Sequence, residues 1–179
     1  MFHMEQKSTR LEIVSELLAI ECHAREIARR LHVNHTVIIR KLKELQKENV
    51  VDYREEGRNK VYFLKKTIEA KNMVYAAEGH KLSKTLRKYP TLRLIIEKVQ
   101  KETKIKLAML FGSYAKCMAK PESDIDLFIE TTDRKVKREL EMANTKLSVK
   151  IGRYDKGNLL IKEIEKNHVI IKGIEEYYE

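Results

Sequence analysis

The chain has 179 residues, of which 42% are hydrophobic and 36% charged, and its net charge is +10. This length and apolar content indicate a soluble globular protein with one large domain or two small ones. No apolar run approaches the roughly 20 residues that cross a bilayer, and the first residues lack the layout of a secretory signal, so we expect a cytoplasmic protein that does not bind membranes.

The first elements predicted along the chain are three short helices. Thr9 and Glu12 fit a capping box for a helix that ends near Glu21. A second helix is predicted from Ala24 to Leu31, and Asn34 is a good N-cap for a third helix from His35 to about Glu48. The third helix turns Ile38, Leu42 and Leu45 to one side. At 100° per residue the opposite side is a polar and basic stripe of Thr36, Arg40, Lys43 and Lys47.

A β-hairpin is predicted directly after these helices. Two apolar runs, Val50–Arg54 and Lys60–Leu64, flank the polar connection Glu55–Asn59. Basic residues are in excess up to residue 104, with 23 against 14 acidic residues, whereas residues 105–179 are near balance with 14 against 13. This distribution fits a nucleic-acid surface in the first part of the chain, and it fits solvated lysines on helices equally well.

The stretches AREIARRLHVNHTVIIRKLKELQKENVV and EEGRNKVYFL are similar to the winged helix-turn-helix family of archaeal and bacterial transcription regulators. The resemblance implies that the third helix reads the major groove of double-stranded DNA. It also implies that Arg58, Asn59 and Lys60 at the wing contact phosphates or the minor groove. The alternative is a winged helix that serves only protein contacts.

A polar linker helix is predicted from Thr67 to Tyr89, because no strong stop occurs before Pro90. Apolar residues recur along it every seven positions, with Leu86 added between the last two: Ile68, Tyr75, Leu82 and Tyr89. Such a seam fits either a homodimer or packing along the chain's own following domain. We favour the homodimer, because winged-helix regulators read two half-sites.

The remaining residues predict a small α/β unit. Helices are expected at Thr91–Glu102, Arg134–Ala143 and Leu159–Lys166. Strands are expected at Ile105–Phe111, Ser123–Ile129 and Lys146–Ile151, and the final residues predict a short extended stretch followed by an acidic helical tail. The predicted fold class is therefore α+β in two domains. Residues 1–66 form the winged helix-turn-helix domain, 67–90 the linker helix, and 91–179 a small α/β domain with a mixed sheet.

The stretch LFGSYAKCMAKPESDIDLFIE, from Leu110 to Glu130, carries the main chemical pattern of this domain. Gly112-Ser113 ends a strand and opens a short helix, where free N–H groups and a hydroxyl suit a phosphate. Asp124 and Asp126 are two residues apart on the next strand, so they share one face and are able to hold a divalent cation. The alternative is a capped strand with two incidental aspartates.

This segment resembles the polymerase-beta-like nucleotidyltransferases, especially the minimal ones. The resemblance implies that Gly112 and Ser113 bind a nucleoside triphosphate, and that Asp124 and Asp126 are catalytic ligands of Mg²⁺ or Mn²⁺ for transfer of a nucleoside monophosphate. Cys117 stands where relatives have glycine at the end of the short helix. The expected third carboxylate is missing, because Ser148 and Lys150 occupy its face of the later strand. Asp155, in the loop beyond that strand, is a candidate substitute.

Two functional hypotheses remain open from the sequence. The favoured one is a DNA-binding regulator with a nucleotidyltransferase-like domain that binds metal-nucleotide with weak or lost catalysis; an antitoxin-like form would repress its own operon and act on a toxin-like partner protein. The other is an active nucleotidyltransferase that modifies a protein or small-molecule hydroxyl. A third option is a nucleotide sensor that signals to the DNA-binding part. Cys22 and Cys117 lack metal-ligand spacing and are expected to be reduced.

Overall fold

The computed structural model describes the backbone of residues 2–179 and the side chains of residues 8–179. The chain divides into two compact units, of which the first ends at His80 and the second begins at Lys81. This division lies inside the predicted linker helix. Among the described residues, no helix is long and apolar enough to cross a membrane.

The first unit contains three helices, an antiparallel sheet and the start of a fourth helix. Its elements are α1 (Phe2–Ala19), β1 (Cys22–His23), α2 (Ala24–Leu31), α3 (His35–Lys47), β2 (Val51–Glu56), β3 (Asn59–Leu64) and α4 (Ile68–Lys88). The sheet has the order β1-β3-β2, and both pairings are antiparallel. The predicted succession of three helices and a hairpin is confirmed.

The turn between α2 and α3 follows the predicted capping. His32 adopts a left-handed conformation with φ of 52°, which ends α2. The side chain of Asn34 then accepts a hydrogen bond from the backbone N–H of Thr36, as an N-cap should. The two helices thereby share a core with α1 that includes Ile27, Ile38 and Leu42.

Three expectations about the first unit were wrong. α1 begins at Phe2, so Thr9 lies within the helix and does not cap it; no glycine or proline stops the helix before that point. The short strand β1 was not predicted, because two residues are too few to show alternation. The hairpin strands are longer than expected, since Gly57, with φ of +61°, permits a tight turn that lets Glu56 pair with Asn59.

Helix α4 forms close to the predicted bounds, and the hydroxyl of Thr67 accepts the N–H of Ala70 at its start. The apolar residues along α4 differ in how exposed they are. Ile68 is 77% exposed, whereas Leu82, Leu86 and Tyr89 pack against the core of the second unit, to which they belong. Packing along the chain's own domain, one of the two alternatives for this seam, therefore holds for its last part.

The second unit is a mixed sheet between helices. After a 3₁₀ turn (Pro90–Leu92) come α5 (Arg93–Lys101), β4 (Ala108–Phe111), α6 (Gly112–Ala115), β5 (Ile125–Glu130), α7 (Arg134–Ala143), β6 (Leu147–Gly152), α8 (Leu159–Lys166), β7 (Val169–Lys172) and α9 (Ile174–Tyr178). The sheet order is β6-β5-β4-β7, with β5 and β6 parallel and the other pairs antiparallel. The predicted α+β class with a mixed sheet is confirmed.

Each face of this sheet buries its own core. One face packs against α5 and α7 through residues such as Val99, Val136 and Leu127. The other packs Met109 and Phe128 against α8 and α9. Strand bounds differ from the predicted ones: β4 begins three residues later, at Ala108, and β5 begins at Ile125, which leaves Asp124 just before the strand.

Candidate nucleotide site and nucleic-acid interface

The Gly112-Ser113 turn follows β4 and opens α6. Gly112 has φ of +68°, and a Cβ atom placed on it would lie 2.3 Å from Oδ2 of Asp126. The cause is the sheet register, which pairs Phe111 with Asp126. Glycine is favoured at this position, because a side chain would be strained there and would displace the carboxylate of Asp126. Ser113 is half-buried next to it.

A strained residue, Cys117, follows two residues after the end of α6. Cys117 has φ of 56°, which places a non-glycine residue in the left-handed region. The backbone N–H of Met118 donates to the carbonyl of Ser113 at 2.9 Å and closes this turn. The conformation costs about 1 kcal/mol relative to glycine.

The structure brings the two predicted carboxylates together. Asp126 is half-buried on β5, and Asp124 is exposed directly before the strand. Burial raises the pKa of Asp126, the nearby charge of Asp124 raises it further, and Lys150 opposes both effects. A cation bound beside Asp126 would stabilise the ionised form of this carboxyl group.

The donor set fits a single metal shared with a nucleotide. No group of three or more His, Cys, Asp or Glu side chains that suits a metal ion occurs among the residues described. Two carboxylates alone leave most coordination positions of a Mg²⁺ ion to other oxygen ligands. Triphosphate oxygens and water supply such ligands in nucleotide sites.

Ser148 and Lys150 lie where a third carboxylate was expected. In the parallel pairing of β5 with β6, Asp126 is opposite Ser148 and Phe128 is opposite Lys150. Lys150 is exposed and near enough to lower the pKa of Asp126. Side chains at these positions share the face of Asp126, because alternate residues along a strand point the same way.

Asp155 has a different partner. Its Oδ1 accepts the backbone N–H of Gly157 at 2.8 Å, which shapes the turn before α8. Asp155 and the pair Asp124 and Asp126 do not form a three-carboxylate cluster among the described residues. The loop carboxylate therefore stabilises its own turn in this structure.

Glu130 was not predicted from the sequence, although it lies on the same face of β5 as Asp126. Phe128 stands between Asp126 and Glu130 on that face. Glu130 accepts the backbone N–H of Tyr154 at 3.0 Å, so it holds the chain that leaves β6. Alternation along β5 was the available signal.

The predicted DNA-contacting residues of the first unit all lie on its surface. Thr36, Arg40, Lys43 and Lys47 are exposed along α3, opposite the buried Ile38, Leu42 and Leu45. Arg58, Asn59 and Lys60 are exposed at the tip of the hairpin. The ammonium of Lys60 lies 3.8 Å from the ring centroid of Tyr53, which orients that side chain.

A surface pocket of about 220 Å³ lies between α3 and the hairpin. His35 and Ile39 line it from α3, and Arg58, Asn59 and Lys60 line it from the hairpin, together with Arg25 at the start of α2. Arg25 and His35 were not among the residues predicted to contact DNA. The position of Arg25 in the first turn of α2 was the only signal.

Comparison with known proteins identifies part of the second unit. Residues 93–176 match the family model described as "Polymerase beta, Nucleotidyltransferase". The chain therefore contains a nucleotidyltransferase-like domain, and this match spans both the Gly112-Ser113 turn and the aspartate pair.

Other comparisons add little. The crystal structure of a MarR family transcription regulator is similar over 50% of this chain and 68% of that one, at 20% sequence identity and a TM-score of 0.37. No curated protein matched the chain.

Proposed function

We propose that the protein is a DNA-binding transcription regulator whose nucleotidyltransferase-like domain binds a metal-nucleotide with weak or no turnover. The main supporting observation is the arrangement around Asp126, which has the backbone of Gly112 against it and Lys150 on the neighbouring strand. We further propose the division into a winged helix-turn-helix at 1–66, a linker helix at 67–90 and the nucleotidyltransferase-like domain at 91–179.

In this proposal the turn and the carboxylates hold one ligand together. Gly112 allows a phosphate close to the backbone, and the Ser113 hydroxyl donates to it. Asp124 and Asp126 hold Mg²⁺ or Mn²⁺, which neutralises charge on the triphosphate when bound. Ionisation of Asp126 is needed for this, and a bound cation favours it.

The weak-turnover part rests on Lys150 and Ser148. An ammonium beside two carboxylates supplies positive charge, but it cannot bind and activate an attacking hydroxyl as a second metal does. A serine hydroxyl has no negative charge with which to hold that metal. Nucleotide binding without efficient transfer is the consequence.

Calorimetry with Mn²⁺ and a nucleoside triphosphate tests the metal-nucleotide site. The double variant Asp124→Asn and Asp126→Asn should lose metal-dependent binding, because hard cations need anionic oxygens. Asp155→Asn is the matched control and should bind as the parent does, since that carboxylate serves its own turn. Equal binding by the double variant and the parent would refute the site.

The DNA-binding part is supported by the exposed stripe on α3 and by the basic residues of the hairpin tip, which line a pocket between the hairpin and α3. A helix fits the major groove, while hairpin cations reach phosphates. Duplex affinity should fall steeply with salt, because each neutralised phosphate releases counterions. Absent or salt-independent duplex binding would remove the regulator hypothesis.

We also propose that the protein forms a homodimer, which sedimentation would test. In the antitoxin form of the hypothesis, we propose a toxin-like partner protein.

The second candidate function is an active nucleotidyltransferase, favoured by the retention of both Asp124 and Asp126 beside the Gly112 turn. Incubation with α-labelled nucleoside triphosphates, Mg²⁺ and candidate acceptors distinguishes the two. Robust transfer by the parent that is lost in Asp155→Asn would show that the loop supplies the third carboxylate.

A further inference from the structure

A cavity of about 610 Å³ lies within the second unit, on the sheet face opposite to Asp126. Ile125 and Tyr114 line this cavity, and both belong to the core cluster on the α5 and α7 side. Asp126 is the next residue after Ile125 along β5, so its side chain points to the other face. The cavity therefore lies on the other side of the sheet from the Asp126 carboxylate.

Among the residues described, the charged side chains that line the cavity are three lysines: Lys88, Lys120 and Lys146. Lys88 donates to the carbonyl of Cys117 at 2.7 Å, and Lys146 donates to the carbonyl of Pro121 at 2.6 Å. Each ammonium has three N–H groups, so both keep donors for a ligand. Because no carboxylate is among the described side chains that line the cavity, an anionic ligand would be favoured there.

Aromatic and small apolar groups form the rest of the wall. The rings of Tyr89 and Tyr114 meet edge to face with centroids 4.9 Å apart. The hydroxyl of Tyr89 accepts the N–H of Ala119 at 3.1 Å, and its own proton is left to donate. Pro90 and Pro121 add flat apolar surface. Cavities of roughly 300–1,000 Å³ hold ligands of drug size, and a mononucleotide falls in that class.

We propose that this cavity binds a nucleotide without a divalent metal, with its phosphate on the three lysines and its base against the tyrosine and proline side chains. The lysine cations take the role that a metal has in the aspartate site, since both neutralise phosphate charge. The proposal is independent of the metal-nucleotide site.

Such a ligand would also affect the aspartate site indirectly. Ala119, Lys120 and Pro121 line the cavity and belong to the loop that leads to Asp124. A ligand held by this loop restricts its conformations. The second nucleotide would thereby stabilise the position of Asp124 without contacting it.

Calorimetry with adenosine monophosphate in the presence of EDTA tests the proposal on the full chain. The parent should bind, and Lys120→Glu should weaken binding about tenfold or more, because it replaces a charge-assisted contact by repulsion. Lys162→Glu, an exposed lysine of α8 outside the cavity, is the matched control and should bind as the parent does. Inorganic phosphate should bind more weakly than the nucleotide.

The outcomes separate this site from the other one. The Asp124→Asn and Asp126→Asn double variant should retain binding in EDTA even though it loses the Mn²⁺-dependent binding. Lys120→Gln should lose an intermediate amount of affinity, and it serves as a second test if Lys120→Glu does not fold. Thermal unfolding checks the folding of both variants. No binding in EDTA, equal binding by the Lys120→Glu and Lys162→Glu variants, or equal affinity for phosphate and nucleotide would overturn the proposal.

Discussion

Helix α3 and strand β5 hold their candidate functional side chains in opposite ways. On α3, Arg40 and Lys47 are exposed on the side away from the core, so each projects independently. On β5, Asp126 is half-buried against Gly112 and interacts with Asp124 and Lys150. Substitutions on α3 should therefore be nearly additive, whereas those around Asp126 should be coupled.

The largest expected effect comes from Gly112→Ala. The new Cβ would lie 2.3 Å from Oδ2 of Asp126 at a φ of +68°, so the backbone is strained and the carboxylate must move away. We expect a loss of roughly 1–2 kcal/mol in the free energy of unfolding, together with loss of metal-nucleotide binding, because the displaced carboxylate is a proposed metal ligand. Denaturant unfolding and calorimetry measure the two quantities.

Gly79→Ala is the matched control, because Gly79 lies inside α4 and a Cβ there meets no atom within 4 Å. That variant should gain up to about 1 kcal/mol through helix propensity. Similar losses of stability in both variants would show that the approach of Gly112 to Asp126 is not the cause.

The next effect concerns the coupling of Lys150 to the aspartate pair. Lys150→Asp, or Ser148→Asp, places an acid on the face of Asp126 and should raise affinity for a second Mn²⁺ at least about tenfold. The parent should transfer little label from nucleotide, and the variants should transfer more. Metal stoichiometry by calorimetry and label transfer check this, with Lys162→Asp as a distant control. Two tightly bound metals in the parent would contradict it.

Substitutions on α3 should have smaller and separable effects. Arg40→Ala should relax sequence preference at a cost of about 1–3 kcal/mol, if Arg40 contacts a base edge. Lys47→Ala should weaken binding evenly across sequences and reduce the log-log salt slope by about one. Duplex titrations at several salt concentrations measure both, with the exposed Lys66→Ala as control. A single variant that removed all binding would show coupling on α3 as well.

The smallest effect is a pH dependence of stability that arises from Asp126. Its folded pKa lies above the ordinary value of 3.8, so the folded state binds this proton more tightly than the unfolded state does. The contribution of Asp126 to stability should therefore fall as pH rises from about 3.8 through the folded pKa. Asp126→Asn should abolish this decrease, and unfolding measured across pH tests it.

Asp124→Asn refines the same test. The charge of Asp124 is one cause of the raised pKa of Asp126, second to burial. Its removal should shrink the pH-dependent decrease without abolishing it. An unchanged decrease would show that the two carboxylates do not interact.

The difference between α3, whose side chains depend on local sequence, and β5, whose side chains depend on distant segments, explains how much could be predicted from the sequence. Periodicity and caps specify a helix locally, so the bounds of α2, α7 and α8 were predicted correctly. The stripe on α3 needed only the 3.6-residue repeat. The start of α1 was missed because a plausible cap at Thr9 lies in a segment without a helix breaker.

The site around Asp126 could be predicted only in part. The Gly-Ser turn and the spacing of Asp124 and Asp126 are local, and they pointed to phosphate and metal. The clash distance at Gly112 and the effect of Lys150 depend on the strand order β6-β5-β4, which brings distant segments together. The lysine cavity likewise joins residues from Lys88 to Lys146, and no local pattern specifies it.

The sheet order also has a consequence for folding during synthesis. The sheet of the first unit is complete once β3 (Asn59–Leu64) has emerged from the ribosome. Strand β4 lacks one of its two neighbours until β7 (Val169–Lys172) has been made, which takes roughly 5–20 s longer at ordinary elongation rates. Long-range pairing of this kind also slows folding. The nascent chain should therefore acquire its proposed DNA-binding part well before its nucleotide-binding part.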